Sequence, residues 1–298
     1  MKLDQLYYLS EAIRCHSISK AAEENYVPAS TVSASISRLE VELETTLLTR
    51  SNKGIIPTDS GLRVAEKCQQ IFSLISEIRA ETNEKRSQII LNISAMPSLV
   101  DTLLSDTVLN IEQESLPLFL NIVTDEPSMI LQNVQLGISH MGLLFDMSPH
   151  MNANLTRFPL FRDRYCLLIG KRSPWFNKSS ITIEEALSIP HIAYRSEFQK
   201  ETNFLTRLTA AHGKPQVACR VDNTESMRRI IAKSEYCAFF PHHTVYHDAY
   251  VEGGYIRPLE ISDADLSFDI SVIESSNYKD MQGNSLLMEV LKKTVSSL

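Results

Sequence analysis

Residues 28 to 43 read PASTVSASISRLEVEL, a run of short hydroxyl side chains with one cation. Val32, Ile36, Leu39 and Leu43 recur at intervals that make one apolar stripe of a helix, and Ser30, Thr31, Ser33 and Ser37 fall off that stripe. Small polar side chains near the start of such a helix let it approach phosphates and base edges in a DNA major groove, with Arg38 as an anchor. The same pattern also suits a hydroxyl-capped helix of a bundle. Farther on, Arg50 and Lys53 bracket the tip of an expected hairpin, an arrangement suited to gripping backbone phosphates beside a groove.

Other chemistries find less support. His243 and His247 are spaced i, i+4 and can chelate a metal on one helical face; a solvated helix after Pro241 is the stronger reading, and no metal or cofactor is expected. Cys15, Cys68, Cys166, Cys219 and Cys237 are an odd number with no CxxC pair, which argues for small core residues. Cys219 and Cys237 fall near expected strands of one region, so a redox pair is the alternative. There is no GxSxG elbow, no phosphate-cradling glycine loop and no HExxH, and with only nine glycines a hydrolase or kinase is not expected.

The elements that must position these groups follow from periodicity. Leu3, Leu6, Leu9 and Ile13 define a first helix, a hydroxyl in Ser17-Ile18-Ser19 caps a second one (KAAEENY), and Val27-Pro28 breaks it before the third. Asn52-Lys53-Gly54 between Leu47-Leu48 and Ile55-Ile56 signals a two-stranded wing. Thr58 caps a helix expected to run to about Gln88, with Leu62, Ala65, Cys68, Phe72, Ile75, Ile78 and Thr82 on one side, close to a coiled-coil period. A stripe of that length calls for a partner helix, most simply a second copy.

Charge sets a limit. The chain of 298 residues carries −7 overall, and its first 60 residues hold six basic against eight acidic side chains. Binding to DNA must therefore come from a local patch and from dimerisation. No apolar run reaches membrane-span length and the start lacks the three regions of a signal peptide, so a cytoplasmic location is expected.

From Ile89 strand-like runs (IILNISA, LFLNIV, HMGLLF, RYCLLIG, HIAYR, QVACRV, YCAFF, DLSFDISVIES) alternate with helix-like ones, the signature of an α/β domain with mainly parallel sheets. Phe161-Arg162-Asp163 and residues 261 to 266 are polar crossings at which the chain can leave for a second sheet and return.

Taken together, SISKAAEE, STVSASISRLEVEL, LLTRSNKG and TDSG resemble, in order and spacing, the N-terminal winged helix-turn-helix of LysR-type transcriptional regulators over residues 1 to about 65. The remainder fits that family's effector domain less specifically. The resemblance implies an α/β chain with a winged helix-turn-helix at 1–58, a linker (dimerisation) helix at 59–88, and a two-lobed, type 2 periplasmic-binding-protein-like domain at 89–298. Lobe I takes 89–161 and 267–298, and lobe II takes 162–266. It adds Ser19 and Lys20 to the DNA contacts, and implies a homodimer or homotetramer that binds double-stranded DNA, with RNA polymerase as a further partner.

In the family a small molecule lies between the lobes; the matching positions here are Ser94, Met96, Ser98, Thr124, Tyr194, Arg195, Thr224 and Phe240. Hydroxyls and amides at strand ends suit an anion, and Arg195 beside such a cleft would pair a carboxylate bidentately. Control by redox state or a protein partner, and metabolite binding without a DNA role, are the rival readings. Pro28-Ala29 stands where the family commonly has serine and glutamine, which removes an adenine reader. Ala34 replaces a basic or long polar residue, Leu48 a phenylalanine, and Glu44-Thr45 a leucine-glycine junction.

Overall fold

The computed structural model describes residues 1–51, 54–82, 88–145, 154–194, 211–275 and 282–296. The chain opens with α1 (Leu3–Cys15), α2 (Ile18–Glu24) and α3 (Ala29–Glu42), followed by the strands β1 (Leu48–Ser51) and β2 (Gly54–Pro57) of an antiparallel wing. Leu6, Leu9, Ile13, Ala21, Val32, Ile36, Leu39 and Leu47 form their common core. Burying such side chains contributes about 1.5–3 kcal/mol each and holds three short helices that would be marginal alone.

α4 (Asp59–Thr82) follows, capped by Thr58, whose hydroxyl accepts from the Gly61 amide at 3.0 Å. Its first turns join the same core through Ala65 and Cys68, while Leu74 and Ile78 are exposed. Gln88, expected to end this helix, instead directly precedes a strand.

The remainder is β3 (Ile89–Ala95), a turn Pro97–Leu99 leading into a π-helical segment Val100–Leu104, α5 (Ser105–Gln113), β4 (Leu118–Thr124), α6 (Pro127–Gln135), β5 (Met141–Phe145), β6 (Leu155–Gly170), β7 (Ser180–Ile181), α7 (Ile183–Ser188), β8 (His191–Tyr194), β9 (Val217–Val221), α8 (Thr224–Lys233), β10 (Cys237–Pro241), a 3-10 turn His242–Val245, α9 (Ala249–Glu252), β11 (Ile256–Ile261), β12 (Ser267–Ser275) and α10 (Gln282–Val295).

The strand order is β4-β3-β5-β12-β6-β10-β8-β9, with β11 pairing β6 and β7. Parallel pairs flank the assembly, but β12 runs antiparallel to β5 and β6, and β10 and β11 run antiparallel to β6. The sheet is thus mixed, against the expected mainly parallel one. The first crossing is also no break. β6 is one strand whose residues up to Arg164 pair with β12 and whose residues from Tyr165 pair with β10 and β11. Alternating polar residues within LTRFPLFRD disguise that strand because the part between the lobes is half-exposed.

Two sheet cores result, one around β3, β5 and β12 and the other on both faces of β6, β8 and β10. Leu136 and Ile138, just past α6, pack instead into the cluster built by α1 to α4.

Candidate nucleic-acid interface and effector cleft

Ser17 is the hydroxyl that caps α2, accepting from the Lys20 amide at 3.2 Å. Ser19 and Lys20 lie on its first turn, both exposed, with Lys20 3.9 Å from Glu24. On α3, Val32, Ile36 and Leu39 point inward. Leu43 does not continue the stripe as expected, because the helix stops at Glu42 and Leu43 is 37% exposed. Ser30, Thr31, Ala34, Ser37 and Arg38 are exposed on the opposite side and Ser33 is half-buried. Among the described residues no ion pair engages Arg38, whereas Arg14 is held by both Glu11 and Glu24. That clasp also explains the convergence of Glu11, Cys15 and Glu24: a guanidinium already occupies both carboxylates, and burial pushes the Cys15 thiol up to about 11.

The wing is fixed to α3 by a residue that periodicity does not reveal. Glu40 Oε1 accepts from the amides of Leu47 and Leu48 at 2.8 and 3.2 Å, where β1 begins. Gly54, at φ +119°, opens β2 so close to the α1–α2 turn that a Cβ would stand 2.4 Å from the His16 carbonyl oxygen. Arg50 lies in β1 opposite Ile55; its side chain and the whole of Lys53 lie outside the described residues.

In the second half, the ends of β3, β4, β8 and β9 and the starts of the segments that follow them lie where open α/β sheets hold ligands. The lobes touch there: the Thr224 hydroxyl, at the start of α8, donates to Asp101 Oδ2 at 3.2 Å in the π-helical segment of the other lobe. Tyr194 is half-buried at the end of β8; burial raises its phenol above the ordinary value, and Glu126, Asp222 and Asp101 raise it further. Arg195 lies outside the described residues, so the expectation of an anion that rested on it has no geometry here.

The other expected positions divide. Ser98 is half-buried and Thr124 exposed at its strand end. Ser94 is fully buried, its hydroxyl 3.1 Å from Asp125 and 2.7 Å from Ser139, so it braces the loop from beneath. Met96 is buried, its sulfur accepting from the Phe145 amide at 3.4 Å. Phe240 is a core side chain with the Arg228 guanidinium 5.2 Å from its ring centre, and Arg228 is itself paired with Asp248 at 2.5 Å.

The histidine run is neither a metal face nor a solvated α-helix. Residues His242–Val245 form a 3-10 turn and His247 follows at φ 56°, so His243 and His247 share no helix face. His243 is buried beside the crossing strand, with Nδ1 2.6 Å from Asp163 Oδ2. Burial pushes the Asp163 carboxyl up, but His243 and nearby amides outweigh it and hold that carboxyl below its ordinary range.

The cysteine alternative fails on topology. β8 stands between β9 and β10, so Cys219 and Cys237 are two strand spacings, about 9.5 Å, apart, beyond the roughly 4.4–6.8 Å of a disulfide. They also belong to cores on opposite faces of the sheet.

Comparison with known proteins agrees with this arrangement. The family model described as "Bacterial regulatory helix-turn-helix protein, lysR family" matches residues 3–62, and "LysR substrate binding domain" matches residues 86–295. The chain is similar to the HTH-type transcriptional regulator TrpI of Pseudomonas aeruginosa, 34% identical over 86 residues, which span 29% of each chain. Among solved structures, a full-length OxyR variant from Pseudomonas aeruginosa superposes with a TM-score of 0.70 at 18% identity, covering 98% of both chains. Full-length CbnR, solved with its target DNA, gives 0.62 at 14% identity, covering 99% of this chain and all of that one.

Proposed function

The chain belongs to the LysR family of transcriptional regulators, and from that premise we propose how its parts divide the work. Residues 1–58 bind double-stranded DNA, α4 with the residues up to 88 joins two copies, and residues 89–298 receive a small molecule between their lobes. No catalytic step is assigned. Contact with RNA polymerase and a cytoplasmic location complete the reading; no helix among the described residues is long and apolar enough to cross a membrane.

The observation that carries the DNA assignment is the outer face of α3, where Ser30, Thr31, Ser37 and Arg38 are exposed and, among the described residues, no carboxylate engages Arg38. Short side chains let the helix sit close to the groove, and Arg38 supplies the local charge that the chain as a whole lacks. With Pro28 and Ala29 at the helix start, DNA shape and half-site spacing carry more of the specificity.

Dimerisation through α4 is supported by its exposed Leu74 and Ile78 and by a groove of about 540 Å³ lined by Met1, Leu6, Leu43, Val64, Cys68 and Ile71. A second α4 would cover both, and two modules on one duplex multiply a weak single contact. α6 offers the link between ligand and DNA: Glu126 at its N-terminus acts on Tyr194 in the cleft, and Leu136 beyond its C-terminus packs on the DNA-binding core. A ligand acts only insofar as it prefers one arrangement of these parts. Footprinting on the DNA upstream of its own gene, with sedimentation of the complex, tests the reading: two protected half-sites per dimer support it, and a single site bound by a monomer contradicts it.

A further inference from the structure

The turn between α2 and α3 carries a side chain that the fold does not use, and its place bears on the DNA contact proposed above, on which this inference rests. The Tyr26 amide donates to the Glu23 carbonyl at 3.1 Å and the Val27 amide to the Ala22 carbonyl at 3.0 Å, the paired bonds that close a helix end. Asn25 Nδ2 donates to the Ala21 carbonyl at 2.8 Å, and Val27 packs on the core of the first module. The backbone on either side of Tyr26 is therefore pinned. Tyr26 itself takes φ 55°, the left-handed conformation that glycine or asparagine adopts at least cost. Its side chain is 96% exposed, and among the described residues nothing bonds its hydroxyl.

The chain beyond it is equally bare. Pro28, Ala29, Ser30 and Thr31, the entry of α3, are all exposed. From Asn25 to Ser37 the sequence reads NYVPASTVSASIS, in which Tyr26 is the one long polar side chain. In a helix-turn-helix the first helix crosses the DNA backbone and the start of the second enters the major groove, so the turn joining them lies beside a phosphate strand. Short side chains on α3 let its backbone come close. A tyrosine two residues before its N-cap has the reach that they lack.

We propose that Tyr26 is a DNA-contacting residue: its hydroxyl donates to a backbone phosphate at the edge of the groove that α3 enters, and its ring lies against the adjoining sugar. A neutral phenol displaces no counterion. Tyr26 thus adds affinity and fixes the register of α3 without adding to the salt dependence, unlike Arg38.

Fluorescence anisotropy of the full chain with labelled DNA from upstream of its own gene, over a range of salt concentrations and beside thermal unfolding, tests this in Tyr26→Phe, Tyr26→Gly and Arg38→Ala. The expected result is binding weakened about three- to tenfold in Tyr26→Phe and further in Tyr26→Gly, both with the unaltered salt slope. Tyr26→Gly should melt no lower than the unaltered chain, because glycine suits the left-handed position. Weaker binding with a lowered melting temperature in Tyr26→Gly would make the residue structural and overturn the proposal. Unchanged affinity in Tyr26→Phe would remove the phosphate bond and overturn it too. Binding that Arg38→Ala weakens and both Tyr26 variants leave unmoved removes Tyr26 alone, whereas no binding by the unaltered chain removes the DNA-binding reading with it.

Discussion

Glu40, on the helix assigned to the groove, accepts the main-chain amide of Leu47, where the wing begins, at 2.8 Å, and the same oxygen takes the amide of Leu48. One carboxylate thereby ties α3 to the first strand of the wing. Glu40→Ala leaves two amides without their acceptor, which costs about 1–3 kcal/mol when such groups are shielded from water. We expect a lowered unfolding temperature together with weakened DNA binding, and Glu40→Gln, which keeps an acceptor oxygen, to recover most of both. Unchanged melting and binding in Glu40→Ala would show that the wing is placed by its other contacts, among them the 2.7 Å bond from Thr58 to the Thr46 carbonyl.

Arg38 and Arg50 are assigned to phosphates, so their removal should be blind to base sequence. Arg38→Ala and Arg50→Ala should each weaken specific and random DNA about equally and reduce the salt slope by about one per site contacted. Competition binding with scrambled operators measures this. A selective effect on the specific site would move that arginine to a base edge.

Much of the first module is legible in the sequence. The spacing of Val32, Ile36 and Leu39 and the order SISKAAEE to TDSG announce the first module because each short helix has one buried face and each turn its own chemistry. The cleft was harder to read. Ser94, Met96 and Phe240 occupy the expected strand ends, yet their side chains turn into the structure, since alternation along a strand sends neighbours to opposite faces and register alone decides which. Asp101, which meets Thr224 across the lobes, carries no local signal, because an isolated acid looks like solvated surface. The Asp163–His243 pair joins residues 80 positions apart, which no local pattern encodes.

The connection through α6 makes a further demand. Leu136 is 5% exposed within the cluster formed by α1 to α4. Leu136→Ala should raise amide exchange in the first turns of α4 while β3 and β5 stay protected, because the truncated side chain bridges two units and lies outside the sheet core. Equally weakened protection in both would place Leu136 in the fold of its own lobe.

Two histidines, His191 buried and His140 half-buried, weigh on the acid side of stability. Burial lowers the imidazole pKa of His140 and His191 from 6.5. His140 Nδ1 accepts the Asn92 amide at 2.8 Å, and His191 Nδ1 donates to the Ile189 carbonyl at 2.7 Å, so each is held neutral. A folded-state value below the unfolded one means that the unfolded chain takes up protons first as pH falls. The contribution is thus complete above about pH 6.5 and fades below it, at up to ~1.4 kcal/mol per pH unit for each group. Unfolding temperatures between pH 8 and pH 5 should fall below about pH 6.5, and less steeply in His191→Asn.

The central claim is that the exposed face of α3, flanked by the wing, binds DNA through a local patch on an acidic chain. Gel shift on the DNA upstream of its own gene, repeated over a range of salt concentrations, tests it most directly. The account predicts binding at low salt that weakens linearly in log–log form as salt rises, with Arg38→Ala lowering the slope. Absence of binding at low salt, or binding indifferent to salt, would contradict it.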